Sequence, residues 1–70
     1  MNWQLETYLK EHGLRAIDLV RKTGLSTNTV YPMVRNNAQR VDRDTLNTVI
    51  QALRDLTGKR TEVSDILRFE

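Results

Sequence analysis

The chain has no cysteine, a single proline, three glycines, one histidine and one tryptophan among its 70 residues. Without cysteine there is no disulfide, no thiolate metal site and no cysteine nucleophile. One imidazole, His12, with no second imidazole or thiol does not make a metal site of the usual kind, so neither metal nor cofactor is expected. No apolar run approaches the roughly 20 residues that a bilayer-spanning helix needs, and no signal-peptide pattern opens the chain. The expected setting is therefore cytoplasmic, without a membrane partner. There is no glycine-rich phosphate loop and no nucleophile paired with a base, so the chain is not expected to be an enzyme. The closely spaced Asp42 and Asp44 read as helix-cap and dipole chemistry around Arg43, not as a carboxylate dyad.

What is present fits one small domain spanning residues 1–70, with no segment left for a small-molecule effector domain. A core of this size supplies only about 3–5 kcal/mol of net stability, so nearly every well-placed aliphatic residue is needed. The formal charge is only +2, but its distribution is uneven. From Arg15 to Arg43 there are six bases (Arg15, Arg21, Lys22, Arg35, Arg40, Arg43) against two acids (Asp18, Asp42), while the rest of the chain has five bases and seven acids. A basic central segment suits a polyanion, although solvated helix faces would look the same.

The apolar residues recur at helical spacing throughout. Leu5, Tyr8 and Leu9 predict a first helix from about Asn2 to Glu11, closed by Gly13. A second runs from Arg15 or Ala16 to Thr23, and a third follows Ser26 with Val30, Met33 and Val34 on one side. Asn37, Gln39 and Arg40 read as a loop. Asp42 is placed to cap a fourth helix, whose stripe of Leu46, Val49, Ile50, Leu53 and Leu56 is the strongest periodic signal. After Thr57–Arg60, Thr61 is placed to cap a short fifth helix carrying Val63, Ile66 and Leu67. No period-2 strand pattern appears. The expected fold is all-α, with Leu5, Leu9, Leu14, Leu19, Leu25, Val30, Met33, Leu46, Val49, Ile50, Leu53, Ile66 and Leu67 buried. Trp3 reads as a core or C-terminal-helix contact on the first helix, or as part of a subunit interface. Ile17 projects opposite Leu19 and should be exposed, and Phe69 is a lid on the core or part of a dimer patch.

The stretch from Leu19 to Val30 is the most specific. Thr23 shares a face with Leu19, Gly24 supplies a left-handed residue, Leu25 is an apolar plug, and Ser26 is placed to accept a backbone N–H from the next helix. Two helices joined by a short glycine-containing turn form the helix-turn-helix unit, whose second helix can enter the major groove. At 100° per residue, Val30, Met33 and Val34 centre the buried face of the third helix. Asn28, Pro32 and Arg35 lie opposite, with Tyr31 on the flank and Thr27 in the exposed first turn. Amide, guanidinium and hydroxyl groups are the kinds that read base edges and phosphates. Polar first-turn residues also need no function to explain them, but this face is almost free of acid.

In its whole layout the chain resembles the small Cro/C1-type helix-turn-helix regulators of the lambda-repressor-like fold. Leu9-Lys10-Glu11-His12-Gly13-Leu14 is similar to the end of the family's helix one, and Leu19…Thr23-Gly24-Leu25-Ser26…Thr29-Val30 to its turn. Val41-Asp42-Arg43-Asp44-Thr45-Leu46 with Ala52-Leu53 resembles the capped fourth helix, and Ser64-Asp65-Ile66-Leu67 the closing fifth. The resemblance implies a five-helix domain in which Thr27, Asn28, Tyr31 and Pro32 face bases and Arg35, Asn37 and Arg40 lie near phosphates. Arg15 and Ser26, at the two helix starts, complete the phosphate set. It also implies a nucleoid-associated transcription factor, read as a repressor, binding double-stranded DNA as a two-fold dimer on a pseudo-palindrome. A protein-interaction module on the same fold, antitoxin-like or an assembly component, is the alternative; its signature would be an exposed apolar patch drawn from Ile17, Trp3, Tyr31 and Phe69.

The chain departs from the family pattern in four places. Arg15 and Ala16 stand where a Ser or Thr cap and a phosphate-clamping Gln are usual, and Val20 stands where Ala is favoured. Four extra residues around Thr57–Arg60 lengthen the last link. Pro32 lies on the outward face of the third helix, beyond the first turn, where its missing N–H and its ring cost about 3 kcal/mol or more. A helix broken or kinked at Tyr31, restarting at Pro32, is the expected outcome.

Overall fold

The computed structural model describes residues 2–36 and 41–68 (the side chain of Arg68 excepted). Five helices carry the fold: α1 (Leu5–Glu11), α2 (Ala16–Thr23), α3 (Thr27–Val34), α4 (Arg43–Thr57) and α5 (Val63–Ile66). Two short strands, β1 (Asn2–Trp3) and β2 (Leu67–Arg68), pair antiparallel with Asn2 opposite Arg68 and Trp3 opposite Leu67. The domain is all-α apart from this ribbon. No described helix is long and apolar enough to cross a membrane.

The ribbon corrects the first helix, which begins at Leu5 and not at Asn2. The amides before Leu5 bond elsewhere: Trp3 N–H donates to Asn36 Oδ1 at 2.6 Å and Gln4 N–H to the Ile66 carbonyl at 2.7 Å. A ladder of two residues per strand is too short to show an alternating pattern, so the sequence carries no period-2 signal for it.

The helix boundaries have local causes. Asp18 accepts the Arg15 N–H at 2.9 Å and Asp65 accepts the Glu62 N–H at 2.8 Å, each carboxylate reaching back to a helix start where the helix dipole also favours it. The fifth helix is thus capped from Glu62, not Thr61, because Thr61 is wholly buried and bonded to Tyr8. Asp42 takes the N-cap position of α4, with its carbonyl accepting the Leu46 N–H at 3.0 Å, but its side chain makes no cap bond. Gly58 ends that helix in the left-handed region. His12 follows α1, stacked on the Tyr8 ring at 4.2 Å, its Nδ1–H tautomer donating to the Tyr8 carbonyl at 2.8 Å. The imidazole serves a helix end.

The core gathers one face of each helix. Leu5, Leu19, Val30, Val49, Leu53 and Ile66 are completely enclosed, and α2 packs against both α3 and α4. Leu14, Leu25 and Leu46, expected in the core, are only partly buried and pack on its rim: Leu14 and Leu25 lie in the connections before α2 and α3, and Leu46 in the first turn of α4. Tyr8 and Ala52 join the core from outside the expected set, and Trp3 joins it as its core reading implies. Trp3 does so from β1, not from the first helix. Ile17 is half-buried, against the expectation of full exposure. Phe69 lies outside the described residues.

Candidate nucleic-acid interface

The turn between α2 and α3 is built from side-chain and backbone bonds that its sequence specifies. Gly24 ends α2 at φ 74°, where a Cβ would be strained, and its N–H donates to the Val20 carbonyl at 3.0 Å. The Thr23 hydroxyl donates to the Leu19 carbonyl at 2.8 Å and accepts the Leu25 N–H at 3.1 Å, so one side chain closes the helix and begins the turn. Leu25 packs on the core, and Ser26 sets the chain extended before α3. The Ser26 hydroxyl does not cap α3 as expected. It lies 3.0 Å from the Thr29 hydroxyl instead, because the Thr29 side chain at the third helical position competes for it.

α3 is eight residues long and runs through Pro32 without a break. The expected break at Tyr31, with a restart at Pro32, does not occur. Its inner stripe, Val30 and Met33, is buried against the core, and that packing holds the helix where one backbone bond is missing. Its outer side carries Thr27, Asn28 and Arg35 exposed, with Tyr31 and Pro32 half-buried. These five residues line one shallow depression of ≈ 220 Å³. The Arg35 guanidinium sits 5.6 Å from the Tyr31 ring centroid, within cation–π range, which keeps the charge over this face. No acid stands in the first turn of α3.

Arg15 begins α2 with its side chain 77% exposed and Nε 3.8 Å from Asp18, so it is available to a second anion. Ala16 and Val34, with Tyr31 and Arg35, border a neighbouring depression of ≈ 250 Å³. The sequence places Val34 on the buried face of the third helix and Ala16 where a phosphate-clamping Gln is usual, and it marks neither as a site residue; both are half-buried. Asn37 and Arg40 lie outside the described residues.

Helix, turn, helix and outward polar face follow one another in the order that the sequence resemblance implies. A family model, that of the Cro/C1-type HTH DNA-binding domain, matches residues 4–70. The chain belongs to this family. Comparison with curated proteins and with solved structures gives no match. The Cro/C1-type domain is a DNA-binding domain, and DNA is the partner that membership assigns to this chain.

Proposed function

We propose that the protein is a sequence-specific regulator of transcription, acting as a repressor, that lays α3 in the major groove of double-stranded DNA. The observation that carries this reading is the outward face of α3: Thr27, Asn28, Tyr31, Pro32 and Arg35 share one depression with no acid in its first turn. An α-helix fits the major groove, where each base pair shows its own pattern of donors and acceptors. Asn28 is suited to pair through two hydrogen bonds with adenine, Thr27 and the Pro32 ring to meet a thymine methyl, and Tyr31 to reach a neighbouring edge. Arg15, Ser26, Arg35, Asn37 and Arg40 are assigned to phosphates, which set affinity and register and carry no sequence information. Repression would follow from occupying a promoter.

One such helix reads few bases, so two copies on a pseudo-palindrome are proposed, with half-sites about 34–36 Å apart or a multiple. The C-terminal half is the better candidate for the contact between copies, since α2 and α3 must stay free for DNA. Residues 1–70 act in this reading as a single binding domain in the nucleoid.

The protein-interaction alternative has less support. Of its apolar candidates, Trp3 is 5% exposed, and Ile17 and Tyr31 are half-buried. Among the described residues, the exposed large hydrophobic is Val63 alone, at 36%. Selecting bound fragments from random duplex DNA tests the proposal: enrichment of one symmetric sequence is expected. No enrichment, with affinity no tighter than about 10⁻⁴–10⁻⁶ M, would favour the alternative.

A further inference from the structure

The end of α3 is joined to the other end of the molecule through one residue. Asn36 follows the helix at φ 63°, and it is the non-glycine residue with a positive φ among those described. Asparagine is one of the few residues that enter this region at low cost, and here it stops α3 as glycine stops α2. Its side chain then spans 33 positions of sequence: Oδ1 accepts the Trp3 N–H at 2.6 Å, and Nδ2 donates to Asn2 Oδ1 at 3.0 Å. The strand on which it pulls is firmly seated. Trp3 is buried, its backbone pairs with Leu67, and the next amide, Gln4, bonds to Ile66.

We infer that Asn36 is a positioning residue, which fixes the C-terminal end of the DNA-reading helix against the terminal strand and so sets the direction of α3. The inference rests on the DNA-binding reading for its functional consequence. The eight-residue α3 contains a proline that removes one of its few backbone bonds, so propagation along the helix itself holds its end weakly. A tether from outside supplies what the helix lacks. Asn36 chooses no base in this role. It keeps Tyr31, Pro32 and Arg35 aligned with Thr27 and Asn28, and a small tilt would lose several base contacts together.

The test uses Asn36→Gly, which keeps the left-handed turn and removes both side-chain bonds, and Asn2→Ala, which removes only the second. Amide exchange of the free protein and affinity for the selected site and for scrambled DNA are measured on each. For Asn36→Gly, faster exchange at Trp3, Val34 and Arg35 is expected, with about tenfold weaker binding to the best site. Affinity for scrambled DNA and its salt dependence should stay as in the parent, and discrimination should fall at several base positions. Asn2→Ala should show the same changes, smaller. Unchanged exchange at Trp3 and Val34 in Asn36→Gly overturns the tether. Loss of preference at one base position alone would make Asn36 a direct base contact and overturn the positioning role. Were the parent to select no DNA sequence, the DNA reading would fail, and the exchange measurement would still decide whether Asn36 holds the helix.

Discussion

The Tyr8 hydroxyl and the Thr61 hydroxyl lie 2.5 Å apart inside the protein, 53 residues apart in sequence. The Thr61 carbonyl accepts a further bond from Arg54 Nε at 2.9 Å, so this threonine joins α1, α4 and the segment before α5. Both hydroxyls are buried, and each is the other's partner. Replacing one leaves the other in an apolar setting without a bond. Tyr8→Phe and Thr61→Val should each destabilise the fold by about 1–3 kcal/mol. The double variant should lose less than the two single losses added together, because no orphan hydroxyl remains. Urea unfolding of the four proteins measures this, and strict additivity would show that the two hydroxyls do not depend on each other.

A second prediction concerns the core. Leu53 is completely enclosed on the long helix α4, facing the other helices. Leu53→Ala should cost about 2–5 kcal/mol, comparable to the whole stability of so small a domain. Circular dichroism should show a largely unfolded population near room temperature. A variant that melts like the parent would mean that Leu53 is not a keystone of the core.

The proline of α3 gives a third. Because the helix continues through Pro32, the missing N–H and the ring are tolerated within one continuous helix and do not divide it. Pro32→Ala should then restore a backbone bond and raise stability by about 1–3 kcal/mol. On the proposed interface the same change removes a ring from the base-facing depression, so preference at a thymine should weaken while the melting temperature rises. A fall in stability would show that the ring packs favourably enough to outweigh its backbone cost.

The sequence was most legible where local chemistry decides. The α2–α3 turn could be read because Thr23, Gly24 and Leu25 act within a few residues of one another, and the α4 stripe because fifteen residues give the helical period room to repeat. The outward set Thr27, Asn28, Tyr31, Pro32 and Arg35 followed from helix geometry alone, and the structure brings all five to one depression. What was not legible depends on partners far along the chain. Trp3 looks helical until its N–H is seen to meet Asn36, and Thr61 looks like a cap until Tyr8 is seen to take its hydroxyl. The continuity of α3 at Pro32 was missed for the same reason: propensity forbids it locally, while packing of Val30 and Met33 supplies what it costs.

The last prediction separates reading bases from holding phosphates. Asn28 is exposed in the first turn of α3, inside the proposed base-facing set, and Arg15 is exposed at the start of α2, outside it. Asn28→Ala should cost about 1–3 kcal/mol on the best site and relax preference at one base position, leaving the salt dependence as it was. Arg15→Ala should weaken matched and scrambled duplexes alike and reduce the salt slope by about one unit per subunit, since one fewer phosphate is neutralised. The Arg15 variant keeps the backbone N–H that bonds to Asp18, so α2 should start as before and folding should be little affected. Binding curves on both duplexes at several salt concentrations measure the two effects together. If Arg15→Ala altered sequence preference while Asn28→Ala changed only the salt slope, α2 and not α3 would be the helix that meets the bases.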